Sequence, residues 1–354
     1  MDMKARGIKR LAIKPFKLIW HYLQRPWIKR DSDKLIVFYD WKASAPPSFH
    51  GVYFAGEVER LIRRNDYKSV TIIFVPAEND RTSEKKTREK TNTDDADKHE
   101  WRLRNIVLPA LSLLSIRPEI FVCRTRNQAR TLLRTIPGDV APKHYVLRLP
   151  DRIERGSVLI NRPSEEIRGL LQPSDSADFY ARSWLNERLT SSNEICLTLR
   201  ESTFRTTSNT SRDEMLKIAV YLQDEGYSPF FIPDTESKNI VELAQVAPVY
   251  EAATWNFELR AAAMQQSALC VLGCNGPAVL PVYLPDCNCM IFGIIDHACG
   301  QTLPWLMDHF GLNESLEANW LGSGHKQIAD PISLELFKTH FKEFKRKGWV
   351  EAPG

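Results

Sequence analysis

Short apolar runs alternate with helix-capable segments along this chain, and this alternation constrains its fold more than any other feature. In a first series the runs are rich in β-branched and aromatic residues, as buried strands are; they are "KLIVFYDW" (34–41), "SVTIIFVPA" (69–77) and "EIFVCRT" (119–125). Helix-capable segments follow at 52–64, 101–114 and 126–136. Strands that alternate with helices predict a parallel sheet covered on both faces.

A second series of the same kind follows. Its predicted strands are "EICLTLR" (194–200), "SPFFIPD" (228–234), "LCVLG" (269–273) and "NCMIFGII" (288–295). An amphipathic helix is predicted to begin near Ser211, with one apolar face formed by Met215, Ile218, Ala219 and Leu222. Near the end of the chain, "PISLELFKTHFKEFKRK" predicts a helix that packs on the core.

The two series divide the chain into four predicted parts. These are a basic amphipathic arm (1–33), an N-terminal α/β domain (34–190), a C-terminal α/β domain (191–325) and a C-terminal helix (326–354). Residues 78–100 contain almost no apolar side chain and predict a solvated loop. Between 137 and 192 the pattern predicts one strand and two helices, at "KHYVLRL", "SEEIRGLLQ" and "ADFYARSWLNERL".

The composition is that of a soluble globular protein. Hydrophobic residues make up 43% of 354 residues, which is enough for a sizeable core. The net charge of +4 is too small to indicate binding to nucleic acid. No apolar run reaches the roughly 18–20 residues of a membrane span. The seven cysteines form no regular disulfide framework, so we expect a reducing, cytoplasmic compartment.

The first 34 residues carry ten Lys or Arg against three Asp. Apolar side chains are interleaved with these charges: Leu11, Ile13, Phe16, Ile19, Trp20, Tyr22, Leu23 and Trp27. Pro15 and Pro26 limit any helix here to short pieces. Such a segment is compatible with contact between residues 1–30 and the anionic inner face of a membrane. It is equally compatible with a solvated tail or with a helix packed on its own domain.

Polar residues follow three predicted strands of the second series. They are Arg200 and Glu201 after the first strand, Asp234 after the second, and Asn275, Gly276 and Pro277 after the third. Ligands of open α/β sheets bind outside the carboxyl ends of the strands, so all three groups are expected on one rim. Each group also has an ordinary interpretation, as an ion pair, a helix-capping turn or an Asn-Gly turn.

The stretch "VLGCNGPAVL" (271–280) interrupts an apolar run with small residues, as a phosphate-binding loop does. Gly273 and Gly276 remove Cβ atoms where a ligand would approach. Pro277 suits the first turn of a helix, and a helix from about Ala278 would direct free N–H groups at the loop. The stretch lacks both the Gly-Lys-Ser/Thr of a P-loop and the G-x-G-x-x-G of dinucleotide-binding domains.

Charged residues of the same rim extend this phosphate-binding hypothesis. Arg200 would add bidentate contacts with a diphosphate. Asp234 or Glu201 would accept hydrogen bonds from ribose hydroxyls. The cysteines do not form the paired C-x₂-C knuckles of a zinc site, so no metal site is predicted.

The second half resembles the C-terminal, nucleotide-sugar half of GT-B glycosyltransferases. The resemblance covers about 194–300, while over 34–135 it is architectural only; it lies in "CLTLREST", "FFIPD", "ELRAAAMQQSALCVLGCNGPAVL" and "MIFG". It implies an α/β fold with two Rossmann-like parallel-sheet domains that face a cleft. It also implies that the donor diphosphate is held, without a metal, by Arg200, Asn275, Gly276 and Pro277. The chain lacks the Glu-x₇-Glu pattern of many retaining members, which leaves the stereochemistry open.

Transfer to a hydroxyl acceptor with inversion needs a general base, and the first half offers two. Asp40 ends the first predicted strand, and His50 lies in the connection that follows it, "DWKASAPPSFHG". We prefer Asp40 because of its position at the strand end. The connection is also consistent with an ordinary proline-rich loop.

The sequence therefore predicts a GT-B-like glycosyltransferase at the cytoplasmic side. The expected donor is a nucleotide-diphosphate sugar, and the expected acceptor is a glycan or another hydroxyl compound in surface polysaccharide or glycan synthesis. No cofactor and no nucleic acid are expected. Two alternatives stay open: a non-catalytic α/β binding or scaffold protein, and a transferase of another group, such as pyruvyl or phosphoryl, on a similar fold.

Overall fold

A computed structural model of the chain describes residues 17–21, 23–24, 31–44, 47–77, 96–153, 159–160, 162–189, 193–203 and 206–351. It contains two sheets in which all neighbouring strands are parallel. The first sheet has the order β3-β2-β1-β4, with β1 Lys34–Asp40, β2 Ser69–Val75, β3 Glu119–Val122 and β4 Asp139–Ala141. The second has the order β6-β5-β7-β8-β9, with β5 Glu194–Thr198, β6 Ser228–Ile232, β7 Leu269–Gly273, β8 Cys289–Phe292 and β9 His325–Ile328. The predicted α/β class with two parallel sheets is confirmed.

Helices connect the strands and cover the sheets. In the first half they are α1 His50–Asn65, α2 Ala96–Arg102, α3 Leu108–Ala110 and α4 Arg126–Thr135. Those that follow are α5 Asp175–Arg188, α6 Arg212–Asp224, α7 Ile240–Val246, α8 Ala252–Trp255, α9 Phe257–Gln266, α10 Leu303–Phe310 and α11 Leu334–Arg346. Within the described residues, no helix is both long and apolar enough to cross a membrane.

The local sequence explains where several helices begin. Thr125 caps α4, because its side chain accepts from the Gln128 N–H while the Gln128 side chain accepts from the Thr125 N–H. Ser211 caps α6 with a single bond, because its side chain accepts from the Glu214 N–H. The four apolar residues predicted to share a face of α6 are all buried. The predicted apolar face of this helix is therefore confirmed.

Two segments predicted from the sequence are wrong. "KHYVLRL" is not a strand, since Pro142 has no N–H to give to a ladder and His144 adopts a left-handed φ of 59°. "SEEIRGLLQ" forms only a 3₁₀ turn, Ser164–Glu166, and Gly169, with a φ of 73°, continues it as a turn. Two edge strands were not predicted: β9, because "HKQI" has no apolar alternation, and β4, because its three residues are too few to show a pattern.

One of the hydrophobic clusters spans both halves, and aromatic rings pack against glycines where the halves are in contact. Tyr283 of the second half lies against Gly56 on α1, where a Cβ atom would approach the ring to 2.2 Å. Buried residues of α1, such as Phe54, and of the second half, such as Leu280, belong to the same cluster. This packing fixes α1 against the second half and thereby positions the residues at its N-terminus.

Helix α5 covers the second sheet. Its Trp184 stacks on Tyr250 at a centroid distance of 4.3 Å and meets Phe230 of β6 at 5.7 Å. The Gln266 side chain at the end of α9 donates to the main-chain oxygen of Asp178 (2.9 Å). The predicted domain boundary at residue 190 stays a prediction; the contacts described attach α5 to elements of the second half.

Candidate functional site

The carboxyl ends of β5 and β7 form a crevice in the second sheet. From β5 the chain continues to β6 on one side, and it returns to β7 on the other side. Such diverging connections leave an opening at the switch point, where open α/β sheets bind their ligands. The two strands are direct neighbours, with Leu197 opposite Val271. The residues that follow them therefore lie at one edge of the sheet.

Thr210 connects these two strand ends. Its N–H donates to the main-chain oxygen of Arg200 (2.9 Å), and its hydroxyl accepts from the Arg200 N–H (3.1 Å). A Cβ atom at Gly273 would lie 3.0 Å from the same hydroxyl oxygen. The missing side chain at Gly273 thus lets the end of β7 approach Thr210, and the structure brings Arg200 together with the loop after β7.

The side chain of Asn209 holds the Arg200 guanidinium. Its Oδ1 accepts from Nη1 of Arg200 at 2.5 Å and from the Ser202 N–H at 3.1 Å. A guanidinium fixed in this way suits bidentate contacts with phosphate oxygens.

The loop after β7 differs in one respect from the prediction. The helix expected from about Ala278 is a single 3₁₀ turn, Gly276–Val279, since Pro281 has no N–H with which to continue a helix. One turn aligns only a few peptide dipoles, so a helix dipole contributes little here. The donors that remain are the main-chain amides before the turn.

Unpaired polar groups lie in this loop. In the part of the chain that the structure describes, the N–H groups of Asn275 and Gly276 donate no hydrogen bond. The Asn275 side-chain oxygen is buried without a hydrogen-bond partner. Buried polar groups are usually paired. Two amides in sequence suit an anion, and the Asn275 oxygen suits a hydroxyl donor.

Phe49 of the first half covers Gly276. A Cβ atom at Gly276 would lie 1.9 Å from the Phe49 ring, so this aromatic contact alone requires a glycine. The Phe49 ring also lies 6.1 Å from the Phe257 ring, at the start of α9. The sequence predicted close approach at Gly276 by a ligand, whereas the structure shows close approach by the other half. Phe49 therefore closes one side of the crevice.

Glu201 and Asp234 lie together beside the crevice, at the ends of β5 and β6. Both Glu201 oxygens accept from Arg212, each at 2.7 Å, and one also accepts from the Ser237 hydroxyl. Asp234 Oδ2 accepts from the Glu201 N–H (3.1 Å), and Oδ1 accepts from the Thr235 hydroxyl (3.2 Å). These bonds hold the two strand ends together.

Asp40, the preferred base in the sequence analysis, is completely buried. Its two oxygens accept from Nη1 and Nη2 of Arg126 at 2.8 and 2.7 Å, and from the Tyr145 hydroxyl at 2.5 Å. The Lys42 N–H also donates to it (2.9 Å). Burial lowers the pKa of Arg126, but the Asp40 hydrogen bonds and charge more than offset this. A carboxylate surrounded in this way anchors the carboxyl end of the first sheet.

His50, the second predicted base, has a different environment. It is the first residue of α1, its side chain is exposed, and it directly follows Phe49. Partial desolvation by surrounding atoms and the positive charge of Arg152 lower the pKa of His50. A lowered pKa favours the neutral ring, which a general base requires. The contact between Phe49 and Gly276 places it near the loop after β7.

Sequence reasoning missed Asn209, Thr210 and Phe49. The first two lie ten or fewer residues after Arg200 and return to it through a loop, for which the sequence offers no periodic signal. Phe49 was within the proline-rich connection that contains His50, but its contact with Gly276 depends on how the two halves pack.

Metal ligands are not clustered in the described residues: no three His, Cys, Asp or Glu side chains are arranged to hold an ion. The sulfur atoms of Cys270 and Cys287 lie 3.7 Å apart in the core. Burial raises the pKa of Cys270 well above its usual value, so this thiol is protonated and acts as a small apolar side chain.

No protein-family model and no curated protein matches this chain. Among solved structures, a glycosyl transferase family 9 protein from Veillonella parvula aligns with a TM-score of 0.48 and 12% identity, over 91% of this chain and 94% of its own. The chain is similar to glycosyltransferases. The E. coli ADP-heptose heptosyltransferase II aligns with a TM-score of 0.43 and 12% identity, over 89% and 99% of the two chains.

POFUT1 in complex with GDP aligns with a TM-score of 0.32 and 11% identity, over 69% of this chain and 91% of its own. These similarities concern the overall path of the chain. The function of this protein is therefore argued from its own residues.

Proposed function

We propose that this protein transfers a sugar from a nucleotide-diphosphate sugar to a hydroxyl acceptor, as in the synthesis of a surface polysaccharide or another glycan. One observation carries the proposal: Arg200 and the unpaired amides of Asn275 and Gly276 follow the neighbouring strands β5 and β7, and Thr210 bonds the Arg200 main chain while it lies beside Gly273. A fixed guanidinium and adjacent amides are complementary to a diphosphate.

The roles of the donor-binding residues follow from their positions. Arg200 would contact both phosphates, and the amides of Asn275 and Gly276 would donate to one of them. Pro277 has no N–H and serves by starting the turn that exposes these amides. Glu201 and Asp234 would accept from ribose hydroxyls with the oxygen lone pairs that their present bonds leave open. Because Arg200 and the amides supply the positive charge, the proposal includes no metal.

His50 is the general base of this proposal, and Asp40 supports the fold around it. A base must reach the acceptor hydroxyl, and the exposed His50 side chain meets this requirement better than the buried Asp40 carboxylate. Because the Phe49 ring contacts Gly276, the adjacent residue His50 is close to the loop after β7.

Thermal unfolding with a panel of ADP, GDP, UDP, CDP and dTDP sugars tests the proposal. A ligand that binds only the folded state stabilises it, by about 2.7 kcal/mol at 100 times its Kd. At least one donor is expected to raise the Tm, and product analysis should then show sugar transfer. No shift at millimolar concentrations would favour the non-catalytic scaffold, which the Phe49 ring over Gly276 would suit. Transfer of a group other than the sugar would support the third hypothesis.

Replacing Arg200 with alanine is expected to weaken donor binding by about 1.5–3 kcal/mol, the range for charged hydrogen bonds. Isothermal titration with the donor that stabilises the wild type measures the change. Arg130→Ala, an exposed arginine on α4, serves as the control and should bind normally. Normal affinity in Arg200→Ala would remove Arg200 from the site.

We also propose that the N-terminal arm binds an anionic membrane face. Most of residues 1–30 lie outside the described part of the chain, but 17–21 and 23–24 are helical. This segment is attached to the first half by an ion pair between Lys17 and Asp151 (2.6 Å) and by Arg148, which lies 5.1 Å from the Trp20 ring. Its outer side exposes apolar side chains beside these basic groups, namely Leu18, Ile19, Trp20 and Leu23.

Sedimentation with vesicles tests this second proposal. The protein is expected to bind vesicles that contain anionic phosphatidylserine and to bind neutral vesicles much less. The double variant Ile19→Glu/Leu23→Glu should lose most of this binding. Val241→Glu, which changes an equally exposed apolar residue on α7, should keep it. Equal and negligible binding to both kinds of vesicle would contradict the proposal.

A further inference from the structure

Arg260, on the first turn of α9, is an unusual buried charge. The residue is 6% exposed, whereas arginines are rarely buried without a charged partner. Its Nε donates to the main-chain oxygen of Ala253 (3.0 Å), and its Nη2 donates to that of Pro233 (3.2 Å). Among the residues that the structure describes, no carboxylate forms an ion pair with it. Two neutral carbonyls orient the guanidinium but do not neutralise it.

A buried cation without a carboxylate partner destabilises the ligand-free protein. Desolvation lowers the pKa of Arg260, and the attraction of Cys196 and Asp234 does not offset this. Asp234 acts through space, because its own oxygens are bonded to the Glu201 N–H and the Thr235 hydroxyl. Arginine keeps its proton in proteins, so the charge persists. An anion that binds close to the guanidinium would stabilise this buried charge.

The position of Arg260 indicates where that anion would lie. Helix α9 precedes the parallel strand β7, so it runs antiparallel to the strands, and its first turn lies at their carboxyl edge. Phe257, the first residue of α9, is close to Phe49, which covers Gly276. Pro233 directly follows β6. The guanidinium therefore lies at the carboxyl end of β6, which is the neighbour of β5, the strand that leads into Arg200.

A second buried group on this side of the sheet also lacks a partner. The Thr198 hydroxyl, at the end of β5, is 1% exposed and makes no hydrogen bond. Thr198 is two residues after Cys196, so both side chains are on the same face of β5, and Cys196 acts electrostatically on Arg260. Near the ends of β5 and β6, this side of the sheet thus contains a hydroxyl without a hydrogen-bond partner and a cation without a carboxylate partner among the described residues.

From these observations we infer that Arg260 is a positioning residue for anion binding, and that its buried charge stabilises a diphosphate in the crevice between the ends of β5 and β7. The inference rests on the proposed function for the identity of the ligand. Arg260 acts on the diphosphate electrostatically and by holding the Pro233 carbonyl in place, whereas Arg200 contacts the diphosphate directly. Because the group is desolvated, its charge is screened less by water and salt than a surface arginine would be.

Binding of inorganic pyrophosphate tests the inference without any sugar or acceptor. Arg260→Met removes the charge, Arg260→Lys keeps it without the planar geometry, and Arg130→Met makes the same change on the exposed face of α4. Arg260→Met is expected to weaken pyrophosphate binding about tenfold or more, which corresponds to about 1.4 kcal/mol. Arg260→Lys should remain within about threefold of the wild type, and Arg130→Met should bind as the wild type does.

Each outcome of these titrations has one meaning. Equal losses in Arg260→Met and Arg260→Lys would make the guanidinium a purely structural group and overturn the inference, as would unchanged binding in Arg260→Met. Absence of pyrophosphate binding to the wild type would overturn it as well. If Arg260→Met weakens pyrophosphate binding but the protein transfers no sugar, the anion site is supported and the proposed function is contradicted. Unfolding in urea confirms that each variant is folded under the titration conditions.

Discussion

Replacing Asp40 with alanine is expected to lower the free energy of unfolding by about 3–5 kcal/mol, the cost of breaking a buried ion pair. Asp40 is completely buried, and it accepts hydrogen bonds from both Arg126 and Tyr145. Its removal would leave a guanidinium and a hydroxyl in the interior without their shared acceptor. Unfolding in urea measures the change.

The double variant Asp40→Ala/Arg126→Met is the matched control. It removes both charges, so it should recover much of the stability that the single variant loses. A loss below about 1 kcal/mol in Asp40→Ala would show that the pair is not a structural anchor. If Asp40→Asn kept the wild-type stability but lost turnover, Asp40 would be the general base, as the sequence first suggested.

Replacing His50 with glutamine is expected to lower turnover by about 10²–10⁴-fold, the range for general acid–base catalysis. Donor affinity should stay near that of the wild type, because His50 is assigned to the acceptor side. Initial rates with the donor identified by thermal unfolding measure the first effect, and titration measures the second. His340→Gln on the distant α11 should change neither.

The pH dependence provides a separate test of the same residue. A general base acts in its neutral form, so turnover should rise with pH through the pKa of His50. Desolvation and Arg152 lower that pKa from its ordinary value of 6.5, so the acidic limb should have its midpoint below pH 6.5. This limb should disappear in His50→Gln. An acidic limb that is unchanged in the variant would assign it to another group.

The sequence predicted the strands well, because each core strand is a short apolar run with β-branched or aromatic members. It also placed Arg200 and Asn275 on one rim, since parallel strands end at one edge. The edge strand β9, His325–Ile328, escaped prediction because its side chains are mostly polar. Alternation of apolar and polar residues reveals a strand with an apolar face. It does not reveal a strand that is held in the sheet mainly by its main-chain hydrogen bonds.

Contacts between distant residues could not be predicted in the same way. The environment of Asp40 depends on Arg126, 86 residues away, and Gly276 is shaped by Phe49 of the other half. A glycine that admits a phosphate and a glycine that admits an aromatic ring look alike in a sequence. The buried Arg260 likewise gave no signal, because an arginine is usually exposed.

The crystal structure of this protein with a bound nucleoside diphosphate tests the central claim most directly. The account predicts that the diphosphate lies outside the ends of β5 and β7, with its oxygens within about 3.2 Å of the Arg200 guanidinium and of the Asn275 or Gly276 N–H. A diphosphate bound elsewhere, with Arg200 still held only by protein groups, would contradict it.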